Sequence, residues 1–267
     1  MPIYRAPVDE VMFLLTDVLK VGRYDNLPGF ADASSDVRAA ILGAAAHFCE
    51  QVLAPLNRTG DKEGCTRHGD GSVTTPKGFK PAFKQYGDGG WMGISAPAEL
   101  GGQGLPETLT VAVNEMMGSA NMAFSMYAAL TQGALSALIR HGTPEQKAAY
   151  VPKMVAGLWT GTMNLTEPHC GTDLGLLRTK AVRQGDGSYK LTGTKILPPP
   201  ASTICPRTSC ISCSRASRVP SPASAAYRCS SYRKFCRRPT DRWANATASP
   251  AARSKTRWAS TPTRPAS

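Results

Sequence analysis

Apolar residues recur at helical spacing over most of the first 160 positions, then give way to short alternating runs. Residues 8–20 predict a short helix, with Asp9 and Glu10 in the first turn, where carboxylates favour the positive end of the helix dipole. From Ser35, a suitable N-cap, the spacing of Val37, Ile41, Leu42, Ala45, Phe48, Val52 and Leu53 predicts one long amphipathic helix ended near Pro55. The charged, glycine-bearing residues 58–75 then read as a surface loop. Residues 78–86, 107–117 and 120–140 predict further helices, the last two rich in Ala, Leu and Met. Met116, Met117, Met122 and Met126 could line a ligand channel, but apolar helical stripes are more often core.

The sharpest local punctuation is His141-Gly142-Thr143-Pro144-Glu145-Gln146. Gly142 suits a C′ position, Thr143 an N-cap, Pro144 the first helical residue and Gln146 the reciprocal partner of a capping box. The helix that begins there should reach Ala156, with Pro152 a kink or early stop. After Gly157, residues 159–165 and 179–183 read as strands, and residues 184–188 as a turn into a strand at 189–192. The expected fold class is α+β: a helical domain over residues 1–157, the first strands of a β domain over 158–196, and a low-complexity tail over 197–267.

Composition divides the chain at the same boundary. All 25 glycines lie within residues 1–196, where 18 Lys+Arg balance 18 Asp+Glu. Residues 197–267 carry 13 Lys+Arg against Asp241 alone, so the formal charge of +12 belongs to them. With 13 Ser, 11 Arg, 10 Pro and five Cys, the tail offers little apolar surface to offset an ordering cost of about 1–2 kcal/mol per residue, and disorder is expected. The high pI therefore says little about a nucleic-acid partner for the foldable part.

No run of 18 apolar residues occurs and no signal-like segment opens the chain, so a cytoplasmic protein with no membrane partner is expected. Cys49, Cys65 and Cys170 are widely spaced, as in a reducing compartment. His47, His68 and His141 show no metal-ligand spacing. In the tail, Cys210-x-x-Cys213 with Cys229 and Cys236 lacks the second close pair that a zinc knuckle uses, and no metal is expected.

Candidate chemistry concentrates in Met163-Asn164-Leu165-Thr166-Glu167-Pro168-His169-Cys170-Gly171-Thr172-Asp173-Leu174-Gly175. Free main-chain groups after a strand, threonine hydroxyls and Gly171 suit a ligand with polar edges and phosphates. Read by itself, the run is equally an ordinary polar loop. It resembles the signature of the flavin-dependent acyl-CoA dehydrogenases, matching it at Leu165, Thr166, Glu167, Pro168, Gly171, Thr172 and Asp173. Asn164, Cys170 and Leu176 stand where that family more often has smaller residues. Residues 90–104 resemble the family's Gly-hydrophobic-Pro-x-Glu-x-Gly-Gly-x-Gly turn, and residues 141–150 its Gly-Thr-x-Glu-Gln-Lys-x-x-Tyr stretch. The wording is most similar to the large bacterial members that include 3-methylmercaptopropionyl-CoA dehydrogenases.

The resemblance implies α,β-dehydrogenation of an acyl-CoA substrate with FAD, electrons passing to an electron-transfer flavoprotein, in a homo-oligomer. By motif matching, Met163, Leu165 and Thr166 would face the flavin pyrimidine edge, and Thr172 would lie near the flavin or CoA phosphates. Glu167 is read as a structural carboxylate that holds the loop, not as the base. His169 and Cys170, adjacent on an extended segment, should point to opposite faces. No catalytic residue is assigned, because the family places its catalytic Glu in a C-terminal helical bundle whose pattern this sequence does not carry. The family pattern stops after Thr194-Lys195-Ile196, and the composition beyond it suggests a frameshifted reading of a GC-rich gene and an inactive chain. The alternative is a non-catalytic nucleic-acid-binding protein that uses its basic tail.

Overall fold

The computed structural model describes residues 3–69, 72–163, 165–185, 189–195 and 209–212. Helices dominate: α1 Val8–Phe13, α2 Ser35–Phe48, α3 Ala54–Glu63, α4 Phe79–Asp88, α5 Glu107–Ala120, α6 Met122–His141 and α7 Pro144–Val155. A short hairpin, β1 Thr66–Arg67 with β2 Val73–Thr74, lies between α3 and α4. After α7 come β3 Thr160–Met163, β4 Lys180–Arg183, β5 Tyr189–Thr192 and β6 Ser209–Ser212. The antiparallel β4–β5 hairpin sets Lys180 opposite Thr192 and Arg183 opposite Tyr189, as the strand pattern predicted. Its turn residues 186–188, and residues 196–208 and 213–267 of the tail, lie outside the described residues, as does the Cys213 half of the possible zinc pair.

The core is an aromatic cluster on three helices, α2, α4 and α6. Phe124 is fully buried, with ring centroids 6.0–6.3 Å from those of Phe48, Phe79, Phe83 and Tyr86. Leu42, Leu53, Leu109, Val113, Met116, Met117, Val151 and Met154 close the space around it. The methionine stripe therefore divides: Met116 and Met117 are core, whereas Met122 and Met126 are 62% and 52% exposed. Asn121, also fully buried, forms the corner between α5 and α6. Its Oδ1 accepts from the Phe124 N–H at 3.0 Å, capping α6, while Nδ2 donates to the Leu53 carbonyl at 3.1 Å. The stretches Ser35–Glu63 and Met122–His141 are long and apolar enough to cross a membrane, and both contribute residues to this core.

Local geometry corrects several sequence expectations in the helical part. The N-cap of α2 is Ser34, not Ser35, because it is the Ser34 hydroxyl that accepts from the Val37 N–H. Pro55 does not end the helix. The turn Cys49–Leu53 is a π-turn, in which the Ala54 N–H reaches the Cys49 carbonyl, and the widened turn relieves the clash and missing donor that proline brings to an α-helix. Residues 58–63 are thus helical and not loop. Gly142 follows α6 in an extended conformation (φ −70°, ψ 151°) and is not left-handed. A Cβ there would lie 2.5 Å from the Leu138 carbonyl oxygen, so the glycine answers a close approach. Pro152 lies within α7, which continues to Val155.

Of the tail, the described residues Ser209–Ser212 pair in parallel with β3, so that Thr160 faces Ser209 and Met163 faces Ser212. A strand such as β3 leaves a row of N–H and C=O groups unpaired along its edge, and the apolar Cys210 and β-branched Ile211 tolerate a strand there.

The N-terminal segment is clasped to the π-turn through Glu50. Its Oε1 accepts from the Ala6 N–H at 3.0 Å and its Oε2 from Arg5 at 2.9 Å, while the Tyr4 hydroxyl donates to the Met116 carbonyl at 3.1 Å. The Ala6 N–H, against some burial and together with Arg5, holds the Glu50 carboxyl below its ordinary value of about 4.5. The clasp is therefore intact above that value and weakens as pH falls through the lower folded one. The protection factor of the Ala6 amide should fall as acid protonates Glu50 in the wild type and be low already at neutral pH in Glu50→Gln.

Candidate functional site

The loop from β3 to β4 is built around one buried carboxylate. Pro168 and His169 occupy the middle of a turn closed by two backbone bonds, Glu167 N–H to Cys170 O at 2.9 Å and Cys170 N–H to Glu167 O at 3.1 Å. The Glu167 side chain, 3% exposed as a residue, reaches across to the start of β4. Its Oε2 accepts from the Arg178 N–H at 2.8 Å and its Oε1 from the Thr179 N–H at 3.0 Å. Lys195, three residues beyond β5, places Nζ 2.9 Å from Oε1 and also 2.9 Å from the Leu165 carbonyl oxygen. One carboxylate and one ammonium thus join both ends of the loop to the hairpin that follows it.

Burial alone would raise the Glu167 pKa, but the hydrogen bonds from Thr179, Arg178 and Lys195 outweigh it and hold the carboxyl far below the usual range. A general base needs a lone pair free to take a proton and a pKa near the working pH. Glu167, held by three donors and with its carboxyl far below the usual range, does not suit the task, and the structural role read from the sequence agrees with this geometry.

The residues expected at the flavin edge fall on the same loop. Met163 ends β3, and its backbone faces Ser212 across the strand pair. Asn164 lies outside the described residues. Leu165 and Thr166 are half-buried, and Thr172 is exposed. The Leu165 carbonyl is occupied by Lys195, which leaves its N–H as the main-chain group to offer. Among the described residues, neither the Thr166 nor the Thr172 hydroxyl has a hydrogen-bond partner. A Cβ on Gly171 would meet Thr166 Cγ2 at 3.8 Å, an ordinary contact, so a side chain there would cover the Thr166 methyl. Asp173 turns inward instead, its Oδ1 accepting from the Gly175 N–H at 2.9 Å to start the short turn Leu174–Leu176.

His169 and Cys170 do not point to opposite faces. The turn at 168–169 breaks the extended alternation on which that expectation rested, and a ring nitrogen of His169, the Cys170 sulfur and a Glu167 carboxylate oxygen all lie within 4.8 Å of one another. His169 Nε2 is 2.9 Å from the Leu176 carbonyl oxygen and 3.5 Å from Glu167 Oε2. Pro168 at the second position of a four-residue turn was the sequence signal for this reversal. No local signal marked Lys195 or the two amides, because their partner lies in another part of the chain.

Upstream, β3 is seated on α6 by the Thr131 hydroxyl, which accepts from the Gly161 N–H at 3.2 Å and donates to the Tyr127 carbonyl at 3.1 Å. The glycine-rich turn before α5 is structural: a Cβ on Gly102 would lie 2.1 Å from the Ala96 carbonyl oxygen. Thr143 and Gln146 form the expected capping box at α7, each side chain accepting from the other's backbone N–H.

Residues 35–158 match the acyl-CoA dehydrogenase N-terminal domain. The chain is 42% identical over 193 residues to 3-methylmercaptopropionyl-CoA dehydrogenase of Ruegeria pomeroyi, an alignment covering 72% of this chain and 33% of that protein. It is 34% identical over 196 residues to a broad-specificity linear acyl-CoA dehydrogenase of Mycobacterium tuberculosis, covering 72% and 31%. The chain thus spans about a third of the length of these relatives. Among solved structures it is similar to one described as the electron transferring flavoprotein of Acidaminococcus fermentans (TM-score 0.53, 28% identity, 61% of this chain and 41% of that one). It is also similar to an acyl-CoA dehydrogenase of Bacillus anthracis complexed with FAD (TM-score 0.50, 26% identity, 62% and 26%). With the three motifs in order on a helical unit and the Glu167 loop after it, the matched part of the chain belongs to the acyl-CoA dehydrogenase family, as its N-terminal region.

Proposed function

We propose that this chain carries the N-terminal, flavin-edge part of an FAD-dependent acyl-CoA dehydrogenase, and that in its present form it does not turn over. The observation that carries the reading is the Thr166 loop: a half-buried hydroxyl beside the Leu165 N–H and the bare backbone of Gly171, on a loop held by Glu167 and Lys195. These groups fit the polar edge of a flavin, since they offer a hydroxyl that donates or accepts and a main-chain donor that no carbonyl competes for. Thr172, exposed on the same loop, suits a phosphate of FAD or of CoA. When bound, FAD supplies the electron sink for a hydride leaving the β-carbon of an acyl thioester. The chain's own part is to bind and orient that cofactor. The base, and the partner that removes the electrons, which we take to be an electron-transfer flavoprotein, would come from outside the matched residues.

The reading frame is the second part of the proposal. The family pattern runs through Lys195 and is replaced within a few residues by Arg-, Pro- and Ser-rich sequence, as an out-of-frame reading of GC-rich DNA would give. Loss of a general base alone lowers rate by about 10²–10⁴.

The test is absorbance and turnover. The purified chain should be colourless and show no acyl-CoA-dependent reduction of a dye acceptor, whereas the product of the gene with the frame shifted after codon 195 should be yellow and active. Turnover by the present chain at a rate within about tenfold of the restored one would refute the inactivity. A shifted frame that encodes no further family sequence would remove the frameshift. A colourless chain that binds nucleic acid at low salt and loses binding when cut at residue 196 would favour the basic-tail alternative instead.

A further inference from the structure

We propose that the Glu167–Cys170 turn is a binding site for one zinc-class divalent cation, held by the Glu167 carboxylate, the His169 imidazole and the Cys170 thiolate. The three ligand atoms already lie within 4.8 Å of one another. Ligands at bonds of about 2.0–2.3 Å to one ion are separated by roughly 3–4 Å, so small side-chain adjustments complete the set. A mixed oxygen, nitrogen and sulfur set suits Zn²⁺ or Co²⁺ and excludes the all-oxygen cations Mg²⁺ and Ca²⁺.

The carboxylate is arranged for such a role. Lys195 sits at Oε1, whereas Oε2 is the oxygen 3.5 Å from the imidazole, and its bond from the Arg178 N–H leaves it a further lone pair. His169 Nε2, now 2.9 Å from the Leu176 carbonyl oxygen, exchanges that hydrogen bond for the ion. Cys170 is 6% exposed and His169 opens to solvent, which gives the ion a buried side and a route of entry. Binding releases the thiol proton to solvent, and the fourth position is left to water. The thiol is not required by the turn itself, which is closed by backbone bonds. This inference stands apart from the flavin reading, since none of the three ligands is among the residues placed at the flavin edge.

The experiment uses the full-length chain with Cys205, Cys210, Cys213, Cys229 and Cys236 replaced by serine, so that tail thiols do not compete. Zn²⁺ is titrated with a competing chromophoric chelator, and Co²⁺ is followed by near-ultraviolet thiolate-to-metal absorption. The expected result is one equivalent bound, weakened at least about tenfold by Cys170→Ser and by His169→Ala, with the cobalt–thiolate absorption lost in Cys170→Ser. Unchanged affinity in both variants, or no thiolate absorption with Co²⁺, overturns the proposal. Where Cys170→Ser alters the metal-free melting temperature, the solvent-facing His169→Ala variant decides by affinity alone.

Discussion

Replacing Phe124 with alanine is expected to destabilise the helical unit by about 3–5 kcal/mol, measured by urea denaturation at neutral pH. Phe124 is fully buried, and its ring touches the rings of Phe48 on α2, Phe79, Phe83 and Tyr86 on α4. Truncation removes the transfer energy of a large apolar side chain and leaves a cavity walled by four rings, three on α4 and one on α2. Those walls are further constrained, because the Phe124 N–H is the donor to the Asn121 cap, whose amide is tied to Leu53. Collapse would have to move a helix corner as well as side chains. Met126→Ala on the exposed side of the same helix should change stability by less than about 0.5 kcal/mol. A Phe124→Ala loss below about 1 kcal/mol would mean that the cluster closes over the gap.

Glu167→Gln should release the loop while leaving the helical unit folded. The side chain keeps its size but presents an NH₂ group where the carboxylate accepted from the Arg178 and Thr179 N–H groups and from Lys195. A donor then faces donors whichever way the amide is turned, and the Lys195 ammonium loses its counter-charge. The amide hydrogens of Arg178 and Thr179 should exchange about a hundredfold faster, and protease should cut between residues 165 and 179, with far-ultraviolet circular dichroism unchanged. Lys195→Met should produce the same loosening, since it strands the carboxylate. Unaltered exchange in both variants would show that the backbone turn holds the loop without the ion pair.

How far the sequence could lead depended on whether the deciding interaction was local. The α7 capping box was legible because Thr143, Pro144 and Gln146 supply its whole geometry within four positions. The β4–β5 hairpin was legible for the same reason. Pro55 was misread, because what admits it is a π-turn in the preceding residues, selected by how Cys49 and Leu53 pack into the core. Met116 and Met126 look alike along the chain, and tertiary packing separates them. At the site, the reading of Glu167 as a structural carboxylate agrees with its contacts. It did not locate the groups that make Glu167 structural, since two are main-chain amides, and Lys195 is known only through a contact between the two ends of the segment. Adjacent His169 and Cys170 were assigned opposite faces by strand logic, although Pro168 had already marked the chain reversal.

The parallel pairing of β3 with β6 carries a cost in time. Thr160 and Ser209 are distant in sequence, so their pairing must wait for loop closure and forms after the local helical contacts around it. Until then β3 stands on α6 with its outer edge bare, and each newly made chain passes through an interval in which another chain's strand could take the place of Ser209–Ser212. Yield on refolding should therefore fall with protein concentration more steeply than the stability of the helical unit would suggest.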